Sequence, residues 1–440
     1  MKYTKFAYRN VGEVMDTARE LGISFPYSAE TMVLAQPIEI NRINLPNRIL
    51  IQPLECCDAL PDGSPSKYTL RRYGRIAESG AAVLWTEANA IDKRYASSNG
   101  QLHLTKENLD SFKRMLEDIR SYYLRVHGFN PIIIVQATHS GRYSKIDNKT
   151  APIIAQHNKY IEGANLLPDE CIVSDVDLHI AEEKFGVFAK LAKEAGFNSI
   201  DIKCSHFYLA SELLSAYYRP GEYGGTFENR TRFIMNCMRA AKPETNHSFF
   251  LTCRLNCYDG FPYPWGFGVR EGSSIAPDYS EANRLVAMLH EEIGIELFNI
   301  TLGNPYVNPY MNRPYDSGSM EPPEHPLVGV ARMIESARCI KKANPSVLIV
   351  GSGLSYLRQF TGVISAGALK DGCFDMAGFG RLALANPRFT GKLISNELTK
   401  KDCCITCSSC TQLMRSFNIA GCVVRDSQIY GKRYKEMMRS

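Results

Sequence analysis

Eight short apolar runs recur along the 440 residues, and stretches of helical periodicity separate most of them. The runs are ILIQPL (49–54), AAVLWTE (81–87), PIIIVQA (131–137), NSIDIK (198–203), SFFLTCRLN (248–256), IELFNIT (295–301), SVLIVGS (346–352) and FDMAGFG (374–380). Helical patterns cover 67–80, 107–123, 179–196, 228–242, 279–294 and 329–343, and Gly80 and Gly196 stand where two helices would be capped. Strands that alternate with helices pair in parallel, because each helix carries the chain back to start the next strand beside the last. Eight such units over roughly 350 residues predict an α/β fold of the (β/α)₈ TIM-barrel type. The competing architecture is a doubly wound open sheet, which would place a glycine fingerprint after its first strand. The first run is followed instead by PLECCDALPDG.

Composition narrows the function classes. The chain is 45% hydrophobic and 22% charged, as a globular protein is. The N-terminus, MKYTKFAYRN, lacks the apolar stretch of a signal peptide, and the longest apolar runs are far too short to cross a bilayer. A net charge of +5 without a basic, aromatic-interleaved block gives no reason to expect nucleic acid. A cytoplasmic protein with no membrane partner is expected. There thiols stay reduced, and clustered cysteines hold metal more often than they form disulfides.

In a barrel, chemistry sits at the C-terminal ends of the strands. Taken run by run, those ends carry Glu55; Glu87 and Ala88; Gln136 and His139; Lys203, His206 and Tyr208; Arg254; Gly303 and Asn304; Gly351 to Gly353; and Gly380 with Arg381. Small residues after the last two strands, joined by an arginine, suit a phosphate held by backbone N–H groups.

These residues make the chain resemble the Old Yellow Enzyme group of NADH:flavin oxidoreductases, within it the iron–sulfur branch that contains 2,4-dienoyl-CoA reductase and trimethylamine dehydrogenase. The stretches that carry the resemblance lie in the family's order over roughly residues 35–390. They include NRILIQPLE (47–55), GAAVLWTEA (80–88), QATHSGR (136–142), YRPGEYGGTFENRTRF (218–233), CRLNCYDG (253–260), GSGLS (351–355) and FGRLALANPRF (379–389). The resemblance implies FMN. Gln136 would pair with the pyrimidine edge and Arg254 would sit near the position where the reduced ring gathers negative charge. Ser352, Gly353, Gly380 and Arg381 would hold the phosphate, and Pro53, Leu54, Glu55 and Ala88 would line the ring.

After the fourth run the family has His-x-x-His or His-x-x-Asn followed by Gly-Tyr-Leu; this chain has Lys203-Cys-Ser-His206-Phe207-Tyr208-Leu209. Lys203 and His206 would donate to the electron-withdrawing oxygen of a conjugated alkene, and Tyr208 would give the proton. Lys203 departs from the usual histidine, which strengthens the cation or favours an anionic substrate. Glu55 stands where Thr or Cys is common, and a Glu55–Lys203 ion pair would explain both changes together. Phe207 replaces a glycine. The aromatic loop 257–268, with Tyr217, Tyr218, Tyr306 and Tyr310, either walls a flat substrate or packs as loop filling. Cys56 and Cys57 read as buried, reduced thiols.

Near the C-terminus Cys404, Cys407 and Cys410 are spaced C-x2-C-x2-C, and Cys422 follows after eleven residues. Four thiolates suit a [4Fe–4S] cluster or structural zinc, and spacing alone does not separate them. Position in the family's iron–sulfur branch points to the cluster, with Cys403 as a substitute ligand. The expected organisation is an N-terminal extension (1–35), an FMN-binding barrel (36–400) and a cluster segment with tail (401–440). The expected activity is an FMN-dependent ene-reductase supplied by NADH or NADPH, or by an external ferredoxin or flavoprotein partner. Alternatives are an amine dehydrogenase or demethylase that sends electrons out through the cluster, and an electron-transfer subunit. A homo-oligomer is expected.

Overall fold

All eight apolar runs form strands of one closed, all-parallel barrel: β1 (Ile49–Ile51), β2 (Val83–Ala90), β3 (Ile132–Thr138), β4 (Ser199–Ile202), β5 (Phe250–Asn256), β6 (Leu297–Thr301), β7 (Leu348–Gly351) and β8 (Met376–Phe379). The computed structural model describes residues 5–272, 275–318 and 320–439, so residues 1–4 of the expected extension and Ser440 of the tail lie outside it. β8 closes on β1 in the register Gly378↔Leu50, and sequential neighbours pair everywhere else. The strands are buried on both faces, because side chains fill the barrel inside and helices cover it outside. This is why they read as continuous apolar runs rather than alternating ones.

The covering helices follow the expected order, α1 (Val11–Glu20) preceding the barrel and α2 (Lys67–Ala77), α3 (Leu109–His127), α4 (Asp175–Ala195), α5 (Phe227–Ala241), α6 (Ser280–Met288), α7 (Pro326–Ala343) and α8 (Thr361–Lys370) alternating with its strands. Gly196 caps α4 at φ 97°, and its N–H is donated back to Ala192 and Lys193. Gly80 does not cap α2. That helix stops at Ala77 under a Glu78 cap, and Gly80 follows at φ 66°, in the turn that enters β2. The first residues lie against the barrel: Val14 and Ala18 of α1 are in the core, and the Phe6 ring packs edge-on to Tyr356 at 5.6 Å. No helix among the described residues is long and apolar enough to cross a membrane.

A hairpin that the sequence reading missed closes the N-terminal end. Its strands, Ile38–Ile40 and Ile43–Leu45, turn through Asn41 and Arg42, both at positive φ, as a two-residue hairpin loop demands. Ile40 and Leu45 plug the barrel against Leu50, Val83, Trp85 and Met376. Strands of three residues are too short for periodicity to reveal.

β2 contains a bulge between Trp85 and Ala88, where its pairing with β3 shifts register. Glu87 belongs to this irregularity and is structural. It accepts from Arg72 Nη2 at 2.6 Å and from the Cys56 N–H at 3.0 Å, while Arg72 also binds Asp58 at 2.7 Å. Arg72, Asp58 and Glu87 are all buried. Arg72→Ala, which strands two carboxylates in the core, is expected to cost about 3–5 kcal/mol in urea denaturation.

Candidate functional site

One cavity opens at the C-terminal ends of the strands, with about 1260 Å³ of space free of protein atoms. Every strand-end residue assigned above to ring, phosphate or substrate lines it: Pro53, Leu54 and Glu55 after β1, Ala88 in β2, Gln136 in β3, Lys203, His206 and Tyr208 after β4, Arg254 in β5, Ser352 and Gly353 after β7, and Gly380 and Arg381 after β8. His139 is not part of it. Its ring stacks on Tyr95 at 3.7 Å, and its Nδ1 accepts the Gly141 N–H.

The polar anchors of this cavity are set from beneath. Asp201 of β4 is fully buried and accepts from Gln136 Nε2 at 2.6 Å, Trp85 Nε1 at 2.8 Å and the Arg254 N–H at 2.6 Å. Burial raises its carboxyl to about 6 against those donors. With its amide nitrogen committed to Asp201, Gln136 has its carbonyl end left for the cavity. The Arg254 guanidinium makes no ion pair among the described residues, and its Nε is buried without a partner; burial lowers it to about 10. Arg381 donates Nη2 to the Pro314 carbonyl at 2.8 Å, while its buried Nη1 has no acceptor. Ser352 Oγ accepts from Gln52 Nε2 at 3.0 Å, and Gly353 sits at φ 80°, where a Cβ would come within 2.3 Å of Met333 Sδ. Two buried guanidinium groups with unanswered N–H donors are costly unless an anion or polar ring meets them. The lining therefore fits FMN, whose phosphate and pyrimidine edge supply both.

The turn after β4 is made by His206 at φ 65° and Phe207 at φ 60°, a left-handed pair in which glycine would be at ease. Phe207 is held there by burial, edge-on to Phe261 at 5.3 Å. The His206 N–H is donated to Asn256 Oδ1 at 3.3 Å, and its Nε2 is buried without a partner. Burial, with Arg254 and Lys203 nearby, holds that imidazole far below its usual range and so neutral. Tyr208 Oη lies 3.2 Å from Tyr306 Oη, and the Tyr306 ring stacks on Tyr143 at 3.8 Å. Burial, reinforced by Glu55, pushes the Tyr208 phenol well above 10, so it keeps its proton.

The expected Glu55–Lys203 ion pair is not formed. Glu55 Oε1 instead accepts from Ser97 Oγ, and Lys203 Nζ lies over the Tyr208 ring, 3.3 Å from its centroid. The Lys203 ammonium makes no hydrogen bond or ion pair among the described residues. Burial draws it down to about 7, partly opposed by Glu55. A cation over an aromatic face exchanges one strong partner for a weaker one and leaves the ammonium N–H groups available. Most of the aromatic wall also lies elsewhere: Tyr217 pairs with Tyr263, and Tyr218 with Trp265, so of the expected set only Tyr306 lines the cavity. Cys56 lines it too, but as a deeply buried thiol, raised by desolvation.

Behind this cavity lies a smaller one of about 370 Å³, lined by Cys404, Cys407, Cys410 and Cys422 together. Cys403 is outside that lining, although its carbonyl accepts from Arg425 at the rim. The backbone N–H groups of Thr406 and Arg425 are donated to the sulfurs of Cys404 and Cys422, each at 3.3 Å, as thiolates would require. Burial raises the Cys404 thiol to about 12, against the pull of Arg381. Four cysteine sulfurs around one space are a donor set that suits a [4Fe–4S] cluster or structural zinc. Arg381, Leu384 and Cys410 line both cavities, so one layer of side chains divides them.

Several lining residues have no counterpart in the sequence reading. Gln52, Arg313 and Arg415 belong to the cavity wall, and Asp201 to its support. Asp201 was legible as a lone acid inside an apolar strand. Arg415 had no signal, because it reaches the cavity only through the short helix Ser409–Arg415, which carries the third cysteine.

A profile of the NADH:flavin oxidoreductase / NADH oxidase family matches residues 33–264. An NADH:flavin oxidoreductase of Gibberella zeae is 24% identical over 381 residues, 82% of this chain and 85% of the relative. A cinnamate reductase of Clostridium sporogenes is 25% identical over 425 residues, 91% of this chain and 59% of the relative. Among solved structures, a 2-naphthoyl-CoA reductase in complex with 2-naphthoyl-CoA superposes with a TM-score of 0.71 at 19% identity, covering 92% of this chain. The chain spans 58% of that reductase's length, and at this identity the likeness concerns the fold alone.

Proposed function

The chain belongs to the NADH:flavin oxidoreductase / NADH oxidase family, a family of oxidoreductases, and from that premise we propose that it is an FMN-dependent ene-reductase of the iron–sulfur branch. When bound, FMN supplies the two-electron chemistry, taking electrons from NAD(P)H or through a [4Fe–4S] cluster and passing them on as hydride. Gln136 and Arg254 would hold its ring, and Ser352, Gly353, Gly380 and Arg381 its phosphate. Cys404, Cys407, Cys410 and Cys422 would hold the cluster.

The chain's own part is positioning and proton supply. Lys203 and neutral His206 would grip the electron-withdrawing group of an activated alkene and stabilise the negative charge that develops there. Tyr208, a phenol that burial keeps protonated, would give its proton to the α-carbon. Tyr306 would hold that hydroxyl in place. The observation that carries this reading is the grouping in one cavity of an unpaired lysine, a neutral histidine with a free Nε2 and a protonated phenol.

An amine dehydrogenase is less well served. Its substrate is a cation or a basic amine, and the basic lining residues Lys203, Arg254, Arg313, Arg381 and Arg415 face Glu55 as the only carboxylate among the described residues there. A pure electron carrier has no use for an intact proton donor.

The test is an anaerobic visible spectrum of the purified protein, followed by NADH titration and an enone panel. Flavin bands on a broad shoulder near 400 nm, bleached by NADH and restored by an enone, are expected. Flavin bands without the shoulder would remove the cluster. Bleached bands that no alkene restores would remove the ene-reductase.

A further inference from the structure

Glu55 has no part in the ene-reductase reading, yet it is the one carboxylate among the described residues that line the cavity. It is partly exposed there, and its Oε1 accepts from the hydroxyl of buried Ser97. Ser97 is fixed at both backbone groups: its N–H is donated to Gln101 Oε1 at 2.6 Å, and its carbonyl accepts from Lys145 Nζ at 3.1 Å. Gln101 donates in turn to the Ala88 carbonyl at 3.2 Å, which ties the loop after β2 to the cavity wall. The Ser97 hydroxyl therefore meets two groups from a fixed position. One is Glu55; the other is Tyr208, for whose phenol Ser97 is a hydrogen-bonding neighbour. Tyr306 also meets that phenol, at 3.2 Å, but hydrogen-bonds no carboxylate among the described residues. The titratable groups that feel the Glu55 charge are Lys203, Lys145, Tyr208, Tyr306 and Cys57, and burial keeps the last three protonated.

We propose that Glu55 and Ser97 form the proton relay that refills Tyr208 after each turnover. This rests on the ene-reductase reading. When Tyr208 gives its proton to the α-carbon, a phenolate is left in a buried site, and the next alkene meets no donor. A serine hydroxyl donates and accepts at once, so it passes a proton on without holding a charge. Glu55, which is partly exposed, takes a proton from solvent. The Ser97 oxygen takes that proton from the Glu55 carboxyl group as the Ser97 O–H bond breaks and its own proton goes to the Tyr208 oxygen. Glu55 is left ionised, Ser97 unchanged and Tyr208 a phenol again. No electrons move along the relay. One solvent proton is consumed for each alkene reduced, which balances the hydride that the reduced flavin gives. The relay also gives a purpose to the carboxylate at a position where Thr or Cys is common, since neither of those could draw protons from solvent as an acid near neutral pH.

Anaerobic stopped-flow of the pre-reduced holoenzyme with 2-cyclohexenone reads the first turnover, and steady-state kcat at saturating NADH reads the refilling. Ser97→Val and Ser97→Thr, alike in shape and different by a hydroxyl, are the decisive pair. Ser97→Val should lower kcat about tenfold or more relative to Ser97→Thr, while their first turnovers agree within about twofold. In Ser97→Val, kcat should also fall with rising pH and climb with buffer concentration, because protons then reach Tyr208 only from buffer acid or water; the unaltered chain should respond to neither as strongly. Glu55→Gln should show the same gap between first and later turnovers. Equal kcat in Ser97→Val and Ser97→Thr, or a first turnover slowed as much as kcat, would overturn the relay and leave the ene-reductase standing. If neither β-branched variant holds flavin, Ser97→Ala and Glu55→Gln decide by the same gap, measured against the unaltered chain. An unaltered chain that reduces no alkene overturns both readings, since a relay needs a donor to refill.

Discussion

Tyr208→Phe should lower kcat/KM for alkene reduction by about two to four orders of magnitude, while NADH still bleaches the flavin bands. The substitution removes one hydroxyl from a packed site and leaves the ring on which Lys203 rests. Stability should therefore change little, and the loss belongs to proton delivery. Position argues for the size of the effect. Burial and Glu55 hold the phenol well above its usual range, so at neutral pH it is always a donor and never an acceptor of the substrate's proton. The hydroxyl of Tyr306, 3.2 Å away, is the nearest substitute. If Tyr208→Phe keeps nearly full activity and Tyr208→Phe with Tyr306→Phe abolishes it, the donor is the pair rather than Tyr208. If the double variant also stays active, proton supply is by solvent and the proposed role of Tyr208 is wrong.

The second large effect is on iron. Cys410→Ser should reduce bound iron from about four atoms per chain towards none and remove the broad shoulder near 400 nm. Cys410 is the one cysteine of the set that lines both cavities, and it lies in the short helix that carries Thr411, Met414 and Arg415 to the larger one. Loss of the cluster should therefore also disturb substrate binding, visible as a raised KM with NADH as donor. Cys403→Ser is the matched control, since Cys403 is buried outside the cage. Equal iron loss from Cys403→Ser and Cys410→Ser would mean that the ligand set is wrong, and full iron with zinc absent in Cys410→Ser would remove Cys410 from it.

Where the sequence reading went astray, the cause was tertiary distance. Glu55 and Lys203 were paired because each departs from the family in a complementary way. In space a serine from the loop after β2 reaches Glu55 first, and the aromatic face of Tyr208 takes Lys203. The aromatics of 257–268 were a fair candidate wall, yet Phe261, Tyr263 and Trp265 pair with Phe207, Tyr217 and Tyr218 instead and stay out of the cavity lining. Phe207 looked like an arbitrary replacement of glycine until the positive φ at that residue showed why glycine is at home there. Of the adjacent Cys403 and Cys404, the spacing favoured Cys404, and Cys404 is the one that lines the cage.

The sequence by itself determined the barrel, the order of its strands and the strand-end positions where chemistry gathers. Burial on both faces of a parallel strand writes a local apolar run, and eight such runs separated by helical stretches admit few other closures. It also brought four cysteines to one place, because short spacing is itself a distance constraint. Tertiary structure alone decided the partners: Asp201 under Gln136, Lys203 over Tyr208, and Arg415 carried from the end of the chain to the mouth of the barrel. Periodicity reports which face of an element meets the core. The choice of partner depends on distances between residues scores or hundreds of positions apart, and these exist only once the barrel has closed.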